Sequence, residues 1–257
     1  MQLSMAGGDE VSEADFGFLM HERFDFAAAA PVRKFYIIAS AERSGSTYLC
    51  LKLWQTGALG APWEYLNYQT EMVAMARRLQ TNDVNDYLRQ VVACRTSANG
   101  TFAIKAHYHH FSYVLDRYPQ LLDALPPPHF IVMQRHDRLG QAISLARAIQ
   151  TNAWSSFARA SSEPVYDAAL ISQCLRKVEM QTAGWAGWLN EHRIVPLTID
   201  YDELVERPDH SVGAARRFLG LAEPGEAPSL PVPMVERQAD EVNAEWRARY
   251  LVEALIA

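Results

Sequence analysis

Two sets of residues in this chain have the types and spacing to hold phosphate. The first is Arg43-Ser44-Gly45-Ser46-Thr47. A short apolar run rich in β-formers precedes it at 35–39, and Leu49, Leu51, Leu53 and Trp54 follow it. That order reads as buried strand, tight turn and helix. Such a turn points backbone N–H groups outward at a helix N-terminus, where they bind anions and above all phosphate. The second set is Arg135 and Ser144, which lie nine residues apart across a strand-to-helix turn. A guanidinium and a hydroxyl so placed can grip one phosphate together.

The first loop departs from the common phosphate loop, G-x-x-x-x-G-K-[ST]. Ser40 replaces the first glycine and Ser46 replaces the lysine, while Gly45 and Thr47 remain. Arg43 supplies a cation three residues before Ser46. The missing lysine argues against an ordinary nucleoside triphosphatase. The plainer reading is a βα turn with serine caps, Arg135 paired with Asp137, and Ser144 in solvent. A third group, Lys105, His107, His109 and His110, stands at the end of another apolar run. The histidines can supply a base or bind an acceptor. A metal site there would lack a nearby carboxylate. Lys105 either contacts a transferred group or acceptor, or keeps its head in water.

These residues need a scaffold. Strands are expected at 35–39, 101–106, 129–134 and 194–199, alternating with helices from Thr47, over 71–79, 82–94, 111–125, 139–152, 167–192, 211–219 and 241–256. Asn82 or Asp83 would cap the third of these and Asp167 the sixth. Pro119 breaks the 111–125 helix and Pro126-Pro127-Pro128 ends it. The alternation gives an α/β fold with a mainly parallel sheet flanked by helices, and ligands bind such sheets at the carboxyl ends of the strands. Residues 1–31 read as an N-terminal extension, parts of it apolar enough to dock, and 32–257 as a single domain. The chain is 257 residues long, 49% hydrophobic and 21% charged, which suits one globular α/β domain. Its formal net charge of −6 advertises neither nucleic acid nor an anionic membrane, so an anionic ligand needs locally placed cations. Three scattered cysteines fit reduced thiols in a cytoplasmic protein. No signal peptide or membrane-spanning stretch is read in the sequence.

The Arg-Ser-Gly-Ser-Thr loop, the Arg135/Ser144 spacing and the segment Glu236-Arg237-Gln238-Ala239-Asp240, with Trp246 beyond it, together resemble the bacterial trehalose 2-sulfotransferase family over roughly 34–250. The resemblance implies a P-loop-like sulfotransferase fold. It implies 3′-phosphoadenosine 5′-phosphosulfate (PAPS) as donor, no metal, and a homodimer. It puts Arg43, Ser44, Gly45, Ser46 and Thr47 on the 5′-phosphosulfate, Arg135 and Ser144 on the 3′-phosphate, and Arg237 in a lid. Glu64 matches the family's loop glutamate and would be the base, with Arg43 and Lys105 assisting catalysis. The wider superfamily commonly uses a histidine as base. A carboxylate beside Trp63 and Tyr65 would be partly desolvated, which raises its pKa. Trp63, Tyr65, Asn67, His107, His109 and Trp154 would face a small-molecule or glycan acceptor, a trehalose-like sugar first among them. The competing readings are a metal-dependent phosphotransferase with a degenerate loop, using Asp200 or Asp202, and a non-catalytic nucleotide-binding module of the same fold.

Overall fold

A computed structural model describes residues 18–27, 30–154, 161–222 and 241–256. Among them, β1 (Lys34–Ser40), β2 (Thr101–His107), β3 (His129–Gln134) and β4 (Leu197–Asp200) form one sheet. The order is β2-β1-β3-β4 and every pairing is parallel. Parallel neighbours need crossovers, and helices supply them. These are α1 (Ser46–Gln55), α2 (Glu71–Leu79), α3 (Val84–Arg95), α4 (Tyr108–Arg117), α5 (Arg138–Thr151), α6 (Ala168–Glu191), α7 (Tyr201–Glu206), α8 (Pro208–Phe218) and α9 (Glu241–Ile256). The protein is thus an α/β fold with a parallel sheet flanked by helices.

The centre of the sheet follows from sequence. From Phe35 to Ser40 every residue of β1 is buried, as is all of β2. A strand apolar on both faces must be covered on both. Burying each of Ile37, Ile38 and Ile104 contributes roughly 1.5–3 kcal/mol. The register sets Ser40 opposite His107 and Gln134 opposite Asp200. The loops after the strands therefore leave along one edge. Asp83, Asp137, Asp167 and Asp200 cap α3, α5, α6 and α7 by accepting from free backbone N–H groups. Each such cap stabilises its helix by about 1 kcal/mol.

The structure differs from the sequence reading in three places. The helix expected to begin at Phe111 begins at Tyr108 and ends at Arg117, so His107 closes β2 and His109 and His110 lie in the first turn of α4. His107 keeps an extended backbone and serves as the N-cap residue, which allows the helix to start at once. β4 is shorter than expected and begins at Leu197. Pro196 has no N–H to give a ladder, and the Ile194 N–H is used by Leu189 O at the end of α6. After β4, Tyr201–Glu206, to which the sequence reading assigns no element, form α7, and the helix expected over 211–219 begins at Pro208.

A main core surrounds the sheet, and it includes Met20 and Phe24. A second core lies between α5, α6 and α9, where Ile143, Ile171, Val178 and Trp246 meet. On its border Arg247 of α9 pairs with Asp137, the cap of α5, and Arg147 donates to Asn243 at 2.6 Å. The C-terminal helix thereby fixes the helix that begins beside Arg135.

Candidate active site

The loop between β1 and α1 takes a conformation that few sequences tolerate. Arg43 has φ 60° and Gly45 has φ 85°, both in the left-handed region. A glycine adopts this freely, whereas an arginine there is uncommon and strained. A Cβ on Gly45 would also stand 2.6 Å from the Tyr201 ring, so only glycine fits. Two neighbouring helices hold the loop. Gln141 Nε2 of α5 donates to Glu42 O at 2.7 Å, and Trp185 Nε1 of α6 donates to Ser40 O at 3.1 Å. Both serve the β1 end of the loop.

Arg43, Arg135 and Ser144 come together there. Arg43 Nε donates to Ser144 Oγ at 2.9 Å and its Nη1 to Trp154 O at 2.5 Å. Arg135 Nη1 donates to Arg43 O at 2.9 Å, and its guanidinium lies 4.4 Å from the centre of the Tyr201 ring. Burial, then the neighbouring Arg135 and Arg147, push Arg43 down to about 10. It stays charged at neutral pH. The Ser44 hydroxyl is buried with no partner among the described residues. Two crowded guanidiniums, an unpartnered hydroxyl and the N-terminus of α1 form a set of donors suited to an anion with more than one charged oxygen group.

A second cluster joins this loop through Lys105. Lys105 Nζ lies 2.5 Å from Glu64 Oε1 and donates to Thr47 Oγ1 at 3.0 Å. His107 Nε2 is 3.4 Å from the same carboxylate oxygen, and its Nδ1 lies 3.1 Å from Ser40 Oγ. Lys105 is 3% exposed, so its head is not in water. The sequence reading expected desolvation to raise Glu64. Burial does act in that direction, but Lys105 and His107 outweigh it and hold Glu64 well below the ordinary carboxylate range. His107 is moved the other way: burial opposes its charge, yet Glu64 and Glu42 raise its pKa.

The remaining residues are placed as follows. Trp63 and Tyr65, expected to face an acceptor, are core side chains at 1% and 0% exposure. Trp63 packs edge-on against Phe24, and Tyr65 stacks on Phe102 and donates its hydroxyl to Ala61 O. They flank Glu64 in a tight turn, in which the Tyr65 N–H donates to Trp63 O at 2.9 Å, and both rings are buried while the Glu64 carboxylate meets Lys105 and His107. Asn67 donates to Glu64 Oε2 at 3.3 Å. The backbone N–H of His109 donates to Gln181 Oε1 at 3.1 Å, and its ring contacts the Gln181 amide. His110 is buried, and burial with His109 beside it holds it down at about 3. Trp154 gives its carbonyl to Arg43, while its indole donates to Asn152. Arg237 lies outside the described residues. Among those described, no group of three His, Cys, Asp or Glu side chains is arranged to hold a metal ion. Asp200 accepts from the backbone of Asp202 and Glu203 and faces His136 at 3.2 Å.

Sequence reasoning passed over four residues. Glu42 in the loop pairs with Lys177 of α6 at 2.8 Å. Burial would raise Glu42, but His107 and Lys177 hold it at about 2. Gln181 lies four residues, one helical turn, beyond Lys177. That i, i+4 polar pair beside the apolar stripe of an amphipathic helix was the available signal. Glu71 opens α2, accepts from the Thr70 hydroxyl, and is raised to about 7 by burial and by Glu64.

The chain is 29% identical to a trehalose 2-sulfotransferase of Mycobacterium tuberculosis, covering 85% of this chain and 95% of that protein. It is 28% identical to a trehalose 2-sulfotransferase of Mycolicibacterium smegmatis over the same shares. A crystal structure of a sulfotransferase from Alicyclobacillus acidocaldarius aligns at TM-score 0.46 and 15% identity, covering 88% of this chain and 92% of that one. The family model described as Stf0 sulphotransferase matches residues 35–253. The span holds both arginine loops, Glu64 and Lys105, and the chain belongs to the Stf0 sulphotransferase family.

Proposed function

We propose that the protein transfers a sulfuryl group from PAPS to a hydroxyl of a carbohydrate, with a trehalose-like sugar as the first candidate. One observation carries this reading. Arg43, Arg135 and Ser144 converge at the N-terminus of α1, and Lys105 links that anion site directly to a buried carboxylate. Family membership supports the reaction class, and the name of the two mycobacterial relatives supports a sugar acceptor.

When bound, PAPS supplies a sulfuryl group joined to a phosphate that leaves as a stable anion. The N–H groups of the Arg43–Thr47 loop and the Arg43 side chain hold the phosphosulfate end, assisted by Ser46 and Thr47. Arg135 and Ser144 hold the 3′-phosphate. The acceptor oxygen forms its bond to sulfur as the bond from sulfur to the departing phosphate oxygen breaks, and Glu64 takes the hydroxyl proton. Such transfers depend mostly on positioning and on cations at the sites of developing charge. Lys105 has two roles. It stands within reach of Thr47 on the donor side and of Glu64 on the acceptor side. An anionic sulfonate draws the ammonium towards itself, and Glu64 loses the main cation that depresses it. Burial is then opposed mainly by His107, and the carboxylate rises towards a useful base.

The experiment pairs two variants with mass-spectrometric detection of the sulfated sugar. Glu64→Gln is expected to lower kcat by about 10²–10⁴, the usual share of a general base, with 3′-phosphoadenosine 5′-phosphate still bound. Arg135→Ala is expected to weaken that nucleotide by about 10–100-fold, the cost of losing one or two charge-assisted hydrogen bonds. Unchanged turnover in Glu64→Gln moves the base to a histidine. An unaltered nucleotide dissociation constant in Arg135→Ala removes the clamp.

A further inference from the structure

Residues 18–26 precede the family match, which starts at residue 35, yet they reach the loop that carries Glu64. Two short 3₁₀ turns, Phe18–Met20 and Glu22–Phe24, present Met20 and Phe24 to the main core. Phe24 is wholly buried. Its ring meets Trp54 of α1 at 4.7 Å and Trp63 at 5.4 Å, both edge to face. Trp63 is the residue before Glu64. Its carbonyl accepts from the Lys105 N–H at 2.9 Å, and it forms an isolated parallel bridge with Ile104. The side chain and the backbone of one residue therefore join this segment to the strand bearing Lys105.

The segment is pinned by charge as well as by packing. The Arg95 side chain at the end of α3 is fully buried. Its Nη1 and Nη2 donate to Leu19 O and His21 O, each at 3.2 Å, and its Nε lies 2.9 Å from Asp25 Oδ1. Arg78 of α2 grips the same Asp25 carboxylate through two hydrogen bonds of 2.8 and 3.0 Å. The Phe26 N–H donates to Cys94 O at 2.8 Å. The same end of α3 also holds the Glu64 loop, because Arg95 O accepts from the Ala61 N–H at 3.2 Å. A buried guanidinium needs all its partners, so the segment cannot lift away without leaving Arg95 uncompensated.

We infer that residues 18–26 are a positioning strap for the Glu64 loop: Phe24 wedges Trp63 against β2 and so fixes the adjacent carboxylate beside Lys105. The inference rests on the reading of Glu64 as the base. Phe24 touches no reacting atom and acts through Trp63. The anion loop that leads into α1 is held at its β1 end by Gln141 and Trp185, so nucleotide binding does not depend on the strap.

The test compares the full chain with Phe24→Ala, Phe24→Leu and Arg78→Ala. The readouts are hydrogen exchange over residues 59–67 and 105, with β3 as internal control, and kcat with PAPS and trehalose counted per nucleotide-binding site. Phe24→Ala is expected to speed exchange in the Glu64 loop alone and to lower kcat at least 10-fold, with 3′-phosphoadenosine 5′-phosphate affinity within twofold of the parent. Phe24→Leu recovers most of the rate. Should Phe24→Ala not fold, Arg78→Ala loosens the strap at its half-exposed edge and is expected to lower kcat several-fold with the same exchange pattern. Unchanged exchange at 59–67 overturns the strap. Faster local exchange with unchanged kcat overturns its link to Glu64. If the parent binds nucleotide but sulfates no sugar, the functional reading fails, and the exchange result alone judges the strap.

Discussion

Lys105 is the side chain on which both halves of the site depend. It is buried between a carboxylate and the hydroxyl of Thr47, and it is the largest favourable influence on Glu64. Burial opposes the charge on Lys105 itself, and Glu64 more than compensates, so its pKa is raised. Replacing it by glutamine keeps a donor near Thr47 and removes the charge. Glu64 is then left buried beside Glu71, so the variant should be less stable at pH 7 by on the order of 3 kcal/mol, the usual cost of breaking a buried pair. The sign of the pH dependence follows. A depressed carboxylate contributes stability above its unfolded pKa and loses it as pH falls through the folded value. The gap in melting temperature between parent and Lys105→Gln should therefore narrow as pH falls below about 4.5 towards the depressed folded value. A gap that stays constant would mean that Glu64 is not the partner that matters.

Among the elements, the β1–α1 turn is the one whose geometry leaves least choice. Gly45 stands at φ 85° with the Tyr201 ring where a Cβ would go, and that ring in turn faces Arg135. Gly45→Ala must strain the backbone by about 1 kcal/mol and also push Tyr201 and the start of α7 aside. Gly57 offers the control, with φ 66° and nothing within 4 Å of an added Cβ. Gly57→Ala should lower the melting temperature modestly and leave nucleotide binding unchanged. Gly45→Ala should lower it further and weaken nucleotide binding about 10-fold or more. Equal effects of the two would show that the contact with Tyr201 is unimportant. This turn was legible in sequence, because a β-run, small polar residues and a glycine dictate it locally. So were α2, α6 and α9, whose ends carry caps or whose apolar spacing is regular. The inward turn of Trp63 and Tyr65 was not legible. It depends on Phe24 and Phe102, which are remote in sequence, and aromatic residues beside a glutamate look the same in a pocket wall and in a core. Nor was the depressed pKa of Glu64, since Lys105 and His107 reach it only because Trp63 pairs with β2 at Ile104 and Lys105.

The whole molecule carries a formal charge of −6, yet its site gathers Arg43, Arg135 and Lys105, with Glu64 and Glu71 behind the lysine. That arrangement sets how stability responds to pH. Glu64 is held ionised by Lys105, and Glu71 answers by rising to about 7, because burial and a neighbouring negative charge both penalise a second one. A group raised in the folded state contributes stability below its unfolded pKa, near 4.5, and loses it as pH climbs through the folded value. Between about pH 5 and 7.5 the parent should therefore lose stability on the order of 1–3 kcal/mol from this residue, at about 1.4 kcal/mol per unit of pKa difference. Glu71→Gln removes the charge and keeps an oxygen to accept from the Thr70 hydroxyl. It should melt several degrees higher than the parent at pH 8 and at the same temperature at pH 5. Its kcat should also change little if Glu64 alone takes the proton. An equal gain at both pH values would assign the effect to packing, and no gain at pH 8 would mean that Glu71 is already ionised without cost in the folded protein.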